Sequence, residues 1–133
     1  MRVTITGGAG FLGLALAERL LGDEQVVTGL RLADRVGPPD GRPRPAASSD
    51  AAAASAAAGD AAAVEVEVVT GDLTEDRFVA DSITSDTDVV YHLASVVSAG
   101  AEADFDLGYA VNLHGTLALL ERCRRVGEQR GRP

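Results

Sequence analysis

The sequence predicts an α/β fold with a parallel sheet buried between helices, on three observations. Short apolar runs alternate with longer stretches of helical character along the chain. Hydrophobic residues make up 46% of the 133 positions and are mostly Val, Leu, Ile and Ala, with aromatics at 4% and no Trp. Strands covered on both faces read as continuous runs of such residues. A glycine string separates the first apolar run from the first helical one.

Each element follows in order. Arg2 to Thr6 reads as a buried strand stopped by Gly7-Gly8-Ala9-Gly10, and Phe11 to Leu21 as a helix ended by Gly22-Asp23. Val26 to Ala33 reads as a second strand running into Asp34-Arg35. Composition then shifts. Gly37 to Pro45 holds four prolines, and Ala46 to Ala63 holds twelve alanines with no larger apolar side chain to bury. Residues 37–63 are therefore expected to form a mobile surface insertion within one domain, 1–133.

Val64 to Val69 reads as a third strand, followed by Gly71-Asp72-Leu73. Thr74 is expected to cap a helix reaching about Ile83, with Glu75 and Asp76 in its first turn. Asp88 to Leu93 reads as a fourth strand and Ala94 to Gly100 as a loop of small residues. A last helix spans about Glu102 to Arg125, with Ala110, Leu113, Leu117 and Leu120 on one apolar stripe and Glu121, Arg122 and Arg125 away from it. The alternation predicts a Rossmann-type, doubly wound parallel sheet of about four strands in the order 3-2-1-4, stopping before the later strands of such folds. The fourth strand would then be an open edge that invites pairing with a second copy or a complementing C-terminal half.

Charge and composition exclude several function classes. The net charge is −8 and all twelve basic residues are Arg, without a basic cluster, which argues against nucleic acid. The apolar run from Phe11 to Leu21 is too short for a membrane span and contains Glu18 and Arg19. The opening residues form a strand pattern, not a secretion signal, and Cys123 has no cysteine to pair with, so a cytoplasmic protein is expected. His92 and His114 lack ligand-spaced partners, so no metal site is expected.

The chemistry concentrates at the glycine string. Gly8, Gly10 and Gly13 satisfy GxGxxG, and Gly7, Gly10 and Gly13 satisfy GxxGxxG. Such a turn between a strand and a helix offers bare backbone NH groups and a helix dipole to a pyrophosphate. Asp34 stands 21 residues after Gly13, where a carboxylate can accept from an adenosine ribose and repel a 2′-phosphate. NAD is therefore expected over NADP, although the adjacent Arg35 could receive that phosphate. On the residues alone, Asp72 is either a turn acid or a ligand contact, and Asn112 either a backbone-bonded helix residue or part of the site.

Taken together, Thr6 to Gly13, Asp34, Gly71-Asp72-Leu73, His92-Leu93-Ala94-Ser95 and Asn112-Leu113-His114-Gly115-Thr116 resemble the extended short-chain dehydrogenase/reductase family of NAD-dependent epimerases and dehydratases. The stretch from Val90 to Leu120 looks most similar to its D-erythronate dehydrogenase type. The resemblance implies that Gly7, Gly10, Phe11 and Leu12 line a pyrophosphate site, with Gly13 letting the helix approach the sheet. It implies that Asp34 holds the adenosine ribose and that Asp72 and Leu73 meet the adenine. Leu93, Ala94 and Ser95 would lie under the ribose and nicotinamide, Asn112 would steady the fourth strand, and Ser98 could approach substrate.

One departure matters. The family's catalytic Tyr and Lys stand four residues apart, and this chain has no Lys; four residues beyond Tyr91 and Tyr109 stand Ser95 and Leu113. No catalytic residue is assigned. The expected function is the dinucleotide-binding portion of an oxidoreductase, incomplete as given. The alternatives are a non-catalytic NAD-responsive module and an unstable truncated product.

Overall fold

The computed structural model describes residues 1–22, 26–39, 41, 43 and 64–131. Most of the 37–63 insertion lies outside these residues. Strands β1 (Arg2–Thr6), β2 (Gly29–Asp34), β3 (Glu65–Thr70) and β4 (Val89–His92) form a parallel sheet in the order β3-β2-β1-β4. This is the predicted order. The register pairs Thr4 with both Arg31 and Val90, and Ile5 with Leu32 and Tyr91.

Side chains alternate across a strand, so the two faces of the sheet build separate cores. On one face, Val3, Ile5, Leu30 and Leu32 pack with Ala17 and Leu21 of helix α1 (Phe11–Leu21) and with Val27. On the other, Ala33 packs with Phe78 and Val79 of α2 (Asp76–Ser82) and with Leu119 and Val126 of α5 (Thr116–Gln129). Between α2 and α5 the chain passes through β4, α3 (Ser98–Ala103), α4 (Phe105–Tyr109) and a π-helical segment, Ala110–Gly115.

Arg31 stands mid-strand on the second face with only 12% of its side chain exposed. Its guanidinium is satisfied by Glu67 at 2.8 Å and the Thr84 hydroxyl at 2.7 Å. Thr4 beside it donates to the Ser82 carbonyl at 3.1 Å. Buried polar groups are tolerated when paired in this way. The arginines thus fasten the α2–β4 turn, and Arg122 and Arg130 of the last helical stretch add to this by donating to the carbonyls of Ile83 and Thr87, each at 2.7 Å.

The structure corrects several expectations. The second strand begins at Gly29, three residues later than predicted, and includes Asp34. Thr74 does not cap α2; it bonds back to Asp72, and the helix starts one residue after Glu75 without a side-chain cap. The loop predicted to Gly100 gives way to helix at Ser98, as its alanines favour. The single last helix is interrupted at Asp104, whose extended backbone (φ −140°, ψ 92°) ends α3 and whose carboxylate caps α4 by accepting from Leu107 N at 2.9 Å.

The apolar stripe is the largest correction. Leu113, Leu117 and Leu120 are exposed at 39%, 53% and 57%, while Val111, Leu119 and Val126 on the opposite side are buried. The reason is space. A Cβ on Gly115 would lie 2.9 Å from the Leu73 side chain, so only a face with a small residue there fits against Leu73. Arg122, expected on the solvent side, lies instead on the packed side against the end of α2.

Candidate functional site

The cleft lies at the carboxyl ends of the strands, where the strand order reverses between β1 and its neighbours, the usual ligand position in doubly wound sheets. Its volume is about 240 Å³. The glycine loop forms one wall. Gly7 N donates to Ala33 O at 2.8 Å, and Gly7 itself has φ of +72°, a conformation that L side chains rarely adopt. A Cβ there would also strike Ala94 N at 2.7 Å. The loop is therefore wedged between the end of β2 and the segment after β4.

The remaining glycines of the string divide into two kinds. A Cβ on Gly13 would lie 2.2 Å from Gly7 O and 2.7 Å from Gly8 Cα, so α1 touches the loop backbone directly. A Cβ on Gly10 would meet only Gly7 O, at 3.2 Å. Packing demands glycine less strongly at position 10, where Gly7 O would have to give by only a few tenths of an ångström, and its missing side chain leaves room in the cleft that Gly10 lines. Gly10 is also the N-cap of α1, with extended backbone, no side-chain cap and no acidic residue in the first turn. No side chain of the helix's own first turn compensates the positive end of its dipole, which favours an anion there.

Two carboxylates stand across from this loop. Asp34 accepts from Ala9 N at 2.9 Å and from Arg35 N at 2.7 Å, so the end of β2 is tied to the glycine loop. Asp72 accepts from both the amide and the hydroxyl of Thr74, at 2.9 and 2.7 Å, and its other oxygen lies 3.9 Å from Arg35 Nε. The two Thr74 bonds first, and the Arg35 charge in addition, hold the Asp72 carboxyl below the usual carboxylate range.

The floor is apolar and small: Leu73, Leu93, Ala94, Ser95 and Val96 line it together with Val111. Asn112 fixes this floor. Its side-chain oxygen accepts from Val96 N at 2.8 Å and its amide donates to Val96 O at 2.9 Å, as a neighbouring strand would. Asn112 occupies the π-helical segment, an irregularity frequent at functional sites. Beneath it, Thr116 donates to Asn112 O at 2.8 Å and so offers its lone pair to His92 Nε2 at 3.0 Å. This assigns the His92 proton to Nε2 and leaves Nδ1 to accept from the Thr6 hydroxyl at 2.6 Å. Burial pushes the imidazole pKa down. His92 is a neutral fastener between β1, β4 and the last helical stretch.

Of the residues singled out from sequence, Gly7, Gly10, Asp34, Asp72, Leu73, Leu93, Ala94 and Ser95 come together around the cleft. Phe11, Leu12, Gly13 and Asn112 do not line it with side chains. Phe11 and Leu12 are 87% and 65% exposed and open helix α1 beside the cleft. Sequence reasoning missed Ala33, Phe78, Val96 and Val111 in the lining. Phe78 had a signal: a Cβ on Gly71 would lie 2.6 Å from its ring, so Gly71 and Phe78 specify one another. Among the described residues no cluster of three His, Cys, Asp or Glu could hold a metal, and no helix is long and apolar enough to cross a membrane.

The model of the 3-beta hydroxysteroid dehydrogenase/isomerase family matches residues 4–130. The chain belongs to this family. The extended short-chain dehydrogenase/reductase resemblance drawn from its motifs is thereby borne out. It is 44% identical to D-erythronate dehydrogenase of Cupriavidus necator, an alignment covering 97% of this chain and 36% of that protein. It is 37% identical to D-erythronate dehydrogenase of Haemophilus influenzae, covering 94% and 34%. The chain thus spans about a third of the length of these curated relatives. Among solved structures, it is similar to the nucleoside-diphosphate-sugar epimerase from Agrobacterium tumefaciens, with TM-score 0.74 and 30% identity over 97% of this chain and 34% of that one. A mutant uronate dehydrogenase from the same organism, complexed with NAD, superposes with TM-score 0.63 and 27% identity over 93% and 36%.

Proposed function

We propose that this chain is the NAD-binding portion of a dehydrogenase acting on a sugar acid, and that these 133 residues bind cofactor without completing catalysis. The observation that carries the reading is Gly10: a helix N-cap without a side chain, opening into a cleft faced by Asp34. A pyrophosphate fits there against the NH groups of Phe11 and Leu12, and Asp34 has lone pairs left for ribose hydroxyls. Leu73 and Asp72 would flank the adenine, and the floor from Leu93 to Ser95 would underlie the nicotinamide side. Bound NAD supplies the hydride acceptor. The chain's own residues bind and orient it and exclude water from the apolar floor. The two D-erythronate dehydrogenases support a sugar acid as the substrate class.

The missing lysine supports incompleteness. Tyr109 is 49% exposed, stacked on Phe105 at 5.7 Å and edge-on to His114 at 5.2 Å, and Tyr91 lies on the outermost strand of the described sheet. The open β4 edge is where a further strand, from a complementing segment or a second copy, would pair.

Asp34 gives the test. NAD is expected to bind at least about tenfold more tightly than NADP, because a 2′-phosphate would meet the Asp34 carboxylate. In Asp34→Ala the gap narrows to a few-fold. Titration calorimetry with both cofactors measures it; equal affinities in the unchanged chain would remove Asp34 from the site.

A further inference from the structure

Within the dinucleotide reading, on which this inference rests, Arg35 is the unexplained residue. Among the described residues it is the one cation lining the cleft, its backbone is tied to Asp34, and its Nε lies 3.9 Å from the Asp72 carboxylate. We propose that Asp72 is a specificity-determining residue: by pairing with Arg35 it withholds that guanidinium from a 2′-phosphate and keeps the site selective for the unphosphorylated dinucleotide.

Geometry and charge carry this. Thr74 occupies one Asp72 oxygen with two bonds, which turns the other oxygen toward Arg35 Nε at 3.9 Å. The Asp72 carboxylate is thus fixed while the Arg35 side chain, 70% exposed, remains free to change partner. A ribose phosphate beside Asp34 would bring a charge near −2. Asp34, Asp72 and Arg35 together present −1 to it, so the phosphate is repelled although a guanidinium suited to bind it stands adjacent. Neutralising Asp72 lowers the repulsion and also releases Arg35. Removing Arg35 leaves two carboxylates and no counter-charge.

The substitution Asp72→Asn separates these effects cleanly. The Asn oxygen can keep both Thr74 bonds, which places the amide hydrogens toward Arg35, where they cannot hold a cation. Calorimetric affinities for NAD and NADP are compared in the unchanged chain, Asp72→Asn, Arg35→Ala and the double variant. Using the ratio of the two cofactors cancels any contact Asp72 makes with the adenine they share. The ratio is expected to move toward NADP by about fivefold in Asp72→Asn, the scale of an exposed ion pair, and by about twofold or less when Arg35 is already absent. The same shift in both backgrounds, or none in either, overturns the inference while leaving NAD binding intact. If the unchanged chain binds neither cofactor, the dinucleotide reading itself fails and this inference with it. Should Asp72→Asn unfold, Asp72→Ser supplies the same comparison.

Discussion

Substituting Gly13→Ala is expected to cost this chain about 3 kcal/mol or more of stability, the upper range for forcing atoms into a packed contact. The added methyl would sit 2.2 Å from Gly7 O and 2.7 Å from Gly8 Cα. Both neighbours are backbone, so no side chain can rotate aside. Gly7 cannot retreat either, because its own position is fixed by Ala33 O on one side and Ala94 on the other. Relief requires α1 to lift off the loop, which opens the core that Ala17 and Leu21 share with Ile5 and Leu32. Domains have only about 5–15 kcal/mol to lose. Thermal unfolding should show a midpoint lower by roughly 10 °C or more for a domain of this size. Gly22→Ala is the control: a Cβ there meets nothing closer than Arg19 O at 3.4 Å. Equal midpoints for the two variants would contradict the packing described between α1 and the glycine loop.

The second large effect is a missing activity. Purified chain, free of host dehydrogenases, is expected to form no NADH from D-erythronate or related hydroxy acids, even at saturating cofactor. Oxidation of an alcohol needs a base near the operating pH, and positioned acid–base catalysis contributes about 10²- to 10⁴-fold by itself. Tyrosine serves that role when a neighbouring cation stabilises its anion. No Lys exists here, and neither tyrosine has Arg four residues on. His92 is not an alternative, since both ring nitrogens are engaged by Thr6 and Thr116 and burial lowers its pKa. NADH absorbance over time is the readout. Sustained turnover abolished by Tyr109→Phe or His92→Ala would show that a proton relay exists within these residues.

Much of the fold was legible because it is written locally. Gly7 to Gly13 between an apolar run and a helix specifies the strand–turn–helix unit, and Asp34 at the end of the next run marks the second strand. The order 3-2-1-4 follows by analogy with doubly wound folds, and the structure has it. The last helical region was not legible in the same way. Its leucines form a regular stripe, yet Gly115 against Leu73 decides which side packs, and that contact joins residues 42 positions apart. The π-helical Ala110–Gly115 segment carries Asn112, whose bonds to Val96 join residues 16 positions apart and were not legible from the helical pattern either. At the site, side-chain patterns located the carboxylates but could not distinguish glycines that packing requires, such as Gly13, from Gly10, where a Cβ would meet only Gly7 O.

That distinction gives the most direct test of the central claim, that the cleft above Gly10 holds a dinucleotide pyrophosphate. Gly10 has N-cap geometry (φ −76°, ψ 169°), which Asp adopts readily and often improves. A Cβ there meets only Gly7 O, at 3.2 Å against 2.2 Å for Gly13, so Gly10→Asp should fold with a midpoint lowered far less than by Gly13→Ala, while placing a negative charge where the pyrophosphate would lie. The measurement is a calorimetric titration of NAD into both proteins, alongside their thermal unfolding. The account predicts saturable binding by the unchanged chain and none by Gly10→Asp, with both proteins folded. Equal NAD affinity in the two, or no binding by the unchanged chain, would contradict it.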